Sequence, residues 1–353
     1  MLNIAHPPDK ITIIRLSAIG DVLMLLPAVR LLKKHFPETQ IDWLIDRPIA
    51  NLLAELTEVN VVPIDKPKSI SAYWQFRQQW RNSHCGQLIS FQTSLVSNLV
   101  MALLPATHKT GFGVPYTREG HHFFTDTAYA LPSHLHQVEL FFALAQKFAG
   151  LEMIQNISPA DLMLPLNAKE FVWASEQLQA HTEWIAINPM ASTPEKTWTQ
   201  QNYIALINQL QQQYPAKHIV LTGGPGTAEV EFGQYIQQHT HRPCLNLIGK
   251  TTLTQLAAIL KQAQLVIAPD TGPLHLANAM ATPVIGLYAV TRPEYIGPYG
   301  QLDNCINLYE QTAQAVMGKA AKALAWQKKI PSLTAMQNIS VAHVLAKVAT
   351  LKL

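Results

Sequence analysis

Two loops carry the residue types that could do chemistry. In the first, the apolar run Leu265–Ala268 leads into Asp270-Thr271-Gly272, and a helical pattern holding His275 starts at once at Pro273. Strand, tight polar turn and helix N-terminus together leave several backbone N–H groups unpaired, and the helix dipole favours negative charge there. Proline suits the first helical turn because it has no N–H to lose. The expected guest is a phosphate-bearing ligand. Asp270 cannot hold phosphate, so it is expected to orient the turn or to meet a neutral part of the ligand. In the second loop, Ser17-Ala-Ile-Gly-Asp21 joins the apolar run Ile11–Leu16 to an amphipathic helix over 22–36 that Pro37 stops. Asp21 reads either as the N-cap of that helix or as a base facing a cleft. Neither G-x-G-x-x-G nor G-x-x-x-x-G-K-[ST] is present, which excludes a dinucleotide fingerprint and a P-loop.

Three more loops follow apolar runs in the second half. Asn188–Trp198 brings Ser192, Thr193 and Lys196, an ammonium among hydroxyls that could neutralise a diphosphate or simply be solvated. Leu221-Thr-Gly-Gly-Pro-Gly-Thr227 permits close backbone approach, and Glu229 opens the next helix, where the dipole favours a carboxylate with or without a ligand. Gly249-Lys-Thr251-Thr252 adds backbone and hydroxyl donors. Four such loops on one sheet edge point to a nucleotide diphosphate site.

The elements that must position these loops alternate between strand and helix, as βαβ units with parallel sheets do. Strands are expected over 11–16, 41–45, 60–64, 87–92 and 108–112, then 184–188, 218–222, 244–248, 265–269 and 283–288. Helices fall near 22–36, 47–56, 70–82, 94–104 and 134–148, then 200–213, 227–238, 253–263 and 273–280. The proline-bearing segment 156–167 reads as a linker. The expected class is α/β: two doubly wound parallel-sheet domains, 1–165 and 166–334, with a last helix (within 335–353) packing back on the first domain.

Composition narrows the class. With 353 residues, 48% hydrophobic and 14% charged, the chain can bury two cores. It has no apolar run of the ~18–20 residues a membrane span needs, and its N-terminus lacks a secretory layout. A cytoplasmic location is expected. Cys85, Cys244 and Cys305 form neither a disulfide framework nor a zinc pattern. A net charge of +3 without dense Lys/Arg clusters argues against a nucleic-acid partner.

The chain resembles the bacterial lipopolysaccharide heptosyltransferases, the ADP-heptose-dependent group of glycosyltransferase family 9, and in particular a heptosyltransferase I-like subgroup. The resemblance rests on Arg15-Leu-Ser-Ala-Ile-Gly-Asp-Val22, Lys196-Thr-Trp198, Leu221-Thr-Gly-Gly224, Asp270-Thr-Gly-Pro-Leu-His275 and Gly297-Pro-Tyr-Gly300, in the family's order. It implies a GT-B fold with a central cleft, the acceptor on the first domain and the nucleotide sugar on the second. It further implies inverting transfer of heptose from ADP-heptose to the Kdo–lipid A inner core, on the cytoplasmic face of the inner membrane. By the same resemblance Asp21 is the general base. Ser192, Thr193, Lys196, Glu229, Asp270, Thr271, Gly272 and His275 become donor contacts, and Thr251 stands where some members place a methionine near adenine.

Such a transfer needs a base and stabilisation of the departing diphosphate, and no cofactor or metal is expected for either. Asp42 and Asp46 merely flank a strand and make no D-x-D signature. Ser17, Lys66, Arg118, His121 and His136 are the acceptor candidates, facing Kdo carboxylates or lipid A phosphates unless they are solvated surface groups. The alternatives are a nucleotide-sugar epimerase, a family member with another donor sugar or acceptor, and a non-catalytic sugar-binding protein.

Overall fold

Strands buried on both faces of a parallel sheet need unbroken apolar runs, and this chain supplies them. The structure, a computed structural model, describes residues 7–153, 157–178 and 183–351. It divides into two units, Met1–Pro165 and Leu166–Leu353. The N-terminal residues 1–6, read above for a secretory signal, and residue 156 of the expected linker lie outside the described residues.

The first unit runs β1 (Lys10–Ile14), α1 (Ile19–Met24), α2 (Leu26–His35), β2 (Gln40–Asp46), α3 (Arg47–Ala50) and β3 (Asn60–Ile64). It continues with α4 (Ile70–Trp80), β4 (Gln87–Ser90), α5 (Leu95–Leu103), β5 (His108–Phe112), β6 (Thr127–Tyr129) and α6 (Gln137–Phe148). Its strands lie in the order β3-β2-β1-β4-β5-β6, every pair parallel, with Ile11 opposite both Ile41 and Gln87.

The second unit runs α7 (Ala168–Gln177), β7 (Trp184–Ile187), α8 (Gln200–Gln213), β8 (His218–Leu221), α9 (Thr227–His239), β9 (Leu245–Asn246) and α10 (Leu253–Gln262). Then come β10 (Leu265–Pro269), α11 (Gly272–Ala279), β11 (Val284–Tyr288), α12 (Pro293–Ile296), β12 (Ile306–Asn307), α13 (Tyr309–Met317) and α14 (Val341–Thr350). The order is β12-β11-β10-β7-β8-β9, again parallel throughout. Each sheet therefore places its first strand beside its fourth. The crevice where chain direction reverses opens beyond β1 and β4 in one, and beyond β7 and β10 in the other, the usual ligand position in such sheets. Asp21 follows β1, and Asp270 follows β10.

The structure changes some expectations. The helix expected over 22–36 begins at Ile19 and breaks at Leu25, because Pro27 in the first turn of α2 has no N–H to continue a single ladder. Leu25 N–H bonds instead to Val22 O at 3.2 Å, and regular bonding resumes with Val29 N–H to Leu25 O at 3.1 Å. β6, β12, α7 and α13 were not expected. The last helix belongs to the second unit: Val344 and Val348 of α14 are fully buried in its core with Trp198 and Tyr203. Its apolar stripe packs on α8, and Trp198 Nε1–H donates to Ile339 O at 2.9 Å just before it.

Candidate active site

At the end of β10 the carboxylate of Asp270 turns inward and organises the loops around it. Lys196 Nζ donates to the Asp270 carbonyl at 2.8 Å and to its Oδ2 at 3.2 Å, and His275 Nε2 lies 3.5 Å from Oδ1. Burial pushes the Asp270 pKa up, but the His275 contact and the charges of Lys196 and His275 outweigh it, so the group is held below the usual carboxylate value. Thr271 caps α11 by accepting Leu274 N–H at 3.4 Å, and Gly272 and Pro273 open the helix. An ammonium has three protons, and Lys196 directs two at Asp270. The pair of buried Asp270 and partly exposed Lys196 thus fixes both a cation and a helix N-terminus at the crevice of the second sheet.

The loop bearing Lys196 is braced from below. Ala191 N–H donates to Thr197 Oγ1 at 3.2 Å, and Trp198 is buried. Ser192 is exposed, while Thr193 Oγ1 accepts from Lys329 Nζ at 3.1 Å; Lys329 also reaches Glu195 at 3.3 Å. Sequence reasoning missed Lys329, which comes from an irregular segment with no motif. Its neighbours place it: Ile330 N–H donates to Val290 O at 2.9 Å, and Tyr309 Oη–H donates to Lys328 O at 2.7 Å. Glu229 folds its carboxylate back over the glycine turn and accepts Gly224 N–H at 2.6 Å. A Cβ at Gly223 or Gly224 would meet that carboxylate at 2.9 Å, which explains both glycines. Thr251 is half-buried, directly before Thr252, whose Oγ1 caps α10 through Gln255 N–H at 3.2 Å.

In the first unit Asp21 is not the N-cap. α1 starts a turn earlier, Ala18 occupies the cap position, and Asp21 as third helical residue accepts Ala18 N–H at 3.2 Å. Its Oδ2 also pairs with Arg15, a buried guanidinium that donates to Phe91 O at 2.8 Å and lies 5.2 Å over the Phe141 ring. Arg15 thus ties the ends of β1 and β4 to the carboxylate, a role the sequence motif contained without announcing it. Asp21 remains partly exposed at 21% of its side chain, enough to meet a ligand.

The acceptor candidates divide. Lys66 Nζ donates to Ser17 Oγ at 2.9 Å and pairs with Asp46 at 2.9 Å, gathering these groups beyond β1, β2 and β3. Arg118 is exposed after β5. His121 and His136 are corrected to structural roles. His121 is fully buried, with Nε2 accepting Phe112 N–H at 3.2 Å and Nδ1 on Asn98 Oδ1 at 2.6 Å, so both ring nitrogens are occupied. His136 caps α6, accepting Val138 N–H at 3.1 Å.

Among the described residues no group of three or more His, Cys, Asp or Glu could hold a metal ion, and no helix is long and apolar enough to cross a membrane. The profile of glycosyltransferase family 9 (heptosyltransferase) matches residues 73–325, well over half of the sequence. The chain belongs to this family. It is a glycosyltransferase with the GT-B architecture, and the epimerase alternative is not favoured. The profile begins after Asp21, but a Haemophilus influenzae relative, lipopolysaccharide core heptosyltransferase OpsX, is 29% identical over 98% of both chains. A family 9 glycosyl transferase from Veillonella parvula superposes with TM-score 0.80 at 19% identity, covering 97% of both chains. The E. coli heptosyltransferase WaaC with ADP-2-deoxy-2-fluoro heptose gives 0.70 at 21%, covering 97% of this chain and 99% of that one.

Proposed function

We propose that this family member moves heptose from ADP-heptose to the Kdo–lipid A inner core of lipopolysaccharide, with inversion at the anomeric carbon, at the cytoplasmic face of the inner membrane. The observation that carries the reading is the Lys196–Asp270–His275 arrangement at the crevice of the second sheet. The names of the relatives support heptose as the sugar, and the ligand of the WaaC structure supports ADP as its carrier.

In this reading the Asp21 carboxylate takes the proton of the acceptor hydroxyl as that oxygen bonds to the anomeric carbon. The bond from the same carbon to the diphosphate oxygen breaks, and ADP departs with the electron pair. Lys196 and the N–H groups at Thr271 and Gly272 stabilise the charge that gathers on the diphosphate. Positive charge developing at the anomeric carbon acidifies the attacking hydroxyl, so a plain carboxylate suffices as base. Ser192, Thr193, Glu229 and Thr251 complete the donor pocket, with Glu229 acting through the glycine turn it holds. Lys66, Ser17 and Arg118 remain the groups offered to an anionic acceptor.

The test is direct. Purified protein incubated with ADP-heptose and Kdo–lipid A should raise the acceptor mass by one heptose and release ADP in step. A folded protein that leaves the acceptor mass unchanged would sink the proposal. The transfer should also persist in excess EDTA; complete loss on chelation, restored by magnesium, would show that a metal takes part in it.

A further inference from the structure

From residue 66 to residue 118 the sequence has six Lys or Arg and no Asp or Glu. The acids that bound this stretch are occupied: Asp65 is paired by both oxygens with Arg47 at 2.9 Å, and the Glu119 carboxylate accepts Leu95 N–H. Within it α4 has two faces. Tyr73, Phe76 and Trp80, at helical spacing, pack on the core of the first unit. Ile70, Trp74, Arg77 and Arg81 follow one another by four, three and four residues, so they line a single outer stripe. Ile70 is 90% exposed and Trp74 62%, and Arg77, Arg81 and the preceding Lys68 are exposed beside them.

We infer that this outer face of α4 is a docking surface for an anionic lipid bilayer. Two apolar side chains cover far less area than a stable protein interface requires. At a bilayer they suffice as an anchor when cations flank them. Trp favours the headgroup boundary, Ile enters the acyl layer, and long Arg side chains reach back to lipid phosphates. Anionic lipid adds attraction for each Lys or Arg near the surface, and no carboxylate in the stretch opposes it. The inference draws on the proposed function only for the location of the acceptor in a membrane.

The experiment uses the full chain in flotation with vesicles of phosphatidylcholine alone, or of equal parts phosphatidylcholine and phosphatidylglycerol. Binding is expected only to the second kind and should weaken with salt. Ile70→Ser with Trp74→Ser, and separately Arg77→Gln with Arg81→Gln, should each lower the partition about tenfold. Both variants should keep the wild-type melting temperature and turnover of detergent-dispersed acceptor. Absence of wild-type binding, or binding unmoved by both double variants, would overturn the surface. So would a wild-type dimer that the Trp74 variant dissolves, because the face would then join two copies. Vesicle binding without heptose transfer would leave the surface standing and remove the proposed reaction; transfer without vesicle binding would do the reverse.

Discussion

Lys196 stands in the short turn that Lys329 reaches from the other end of the second unit; the first bonds to Asp270 and the second to Thr193 and Glu195. A diphosphate placed there would draw on both cations. Lys329→Met should weaken ADP binding about five- to tenfold, the size of one partly screened charge-assisted contact, and leave adenosine binding unchanged. Calorimetry with the two ligands decides it, and equal losses for both would mean that the substitution disturbed the loop instead. For Asp21 the discriminating change is to Asn, which can still accept Ala18 N–H but cannot take a proton. Turnover should fall ~10²- to 10⁴-fold with donor binding intact. Near-normal turnover would reduce Asp21 to the part it plays in starting α1 and holding Arg15.

At the scale of elements, β5 depends on a ring that looked like a ligand group. His121 packs against Gly111, where a Cβ would lie 2.1 Å from Nε2, and its burial lowers the ring's pKa to about 4. The unfolded chain takes up that proton first, near the ordinary value of 6.5. The stability it contributes is therefore complete above pH 6.5 and lost as pH falls towards 4, by up to about 3 kcal/mol. Urea midpoints across that window should show the slope in the wild type, and His121→Gln should flatten it; an unchanged slope would place the proton elsewhere. The long strands were legible because burial on both faces demands apolar runs, and the Thr271–His275 turn because capping and proline chemistry are local. β12 has two residues and α7 buries one residue fully, Ala174, so neither left a pattern to read. A histidine cap at α6 lies outside the usual capping residues. The difference between Asp21 as cap and as third residue turned on where α1 begins, which no periodicity fixes. Lys329 was invisible because tertiary bonds through its neighbours, not local sequence, aim it at Thr193.

At the scale of the molecule, the core of the second unit is closed by α14. A fragment of residues 166–353 should fold alone and, on the proposed function, bind ADP. One ending at 334 should fail to fold, because it lacks buried Ile339, Val344 and Val348 and leaves Trp198 Nε1–H without its acceptor. Circular dichroism melts of the two fragments test this; a cooperative transition in the shorter one would make α14 dispensable.

The same arrangement sets a timetable during synthesis. The strands and helices of the first unit end by Leu162, so that unit can complete its core while the ribosome is still making the second. The second cannot, since Ile187 and Trp198 wait for Val344 and Val348, which come far later in the sequence. Until α14 emerges its apolar sheet has no lid. The growing chain therefore exposes the core of its second unit longest, and any chaperone that attends it has the most to shield there.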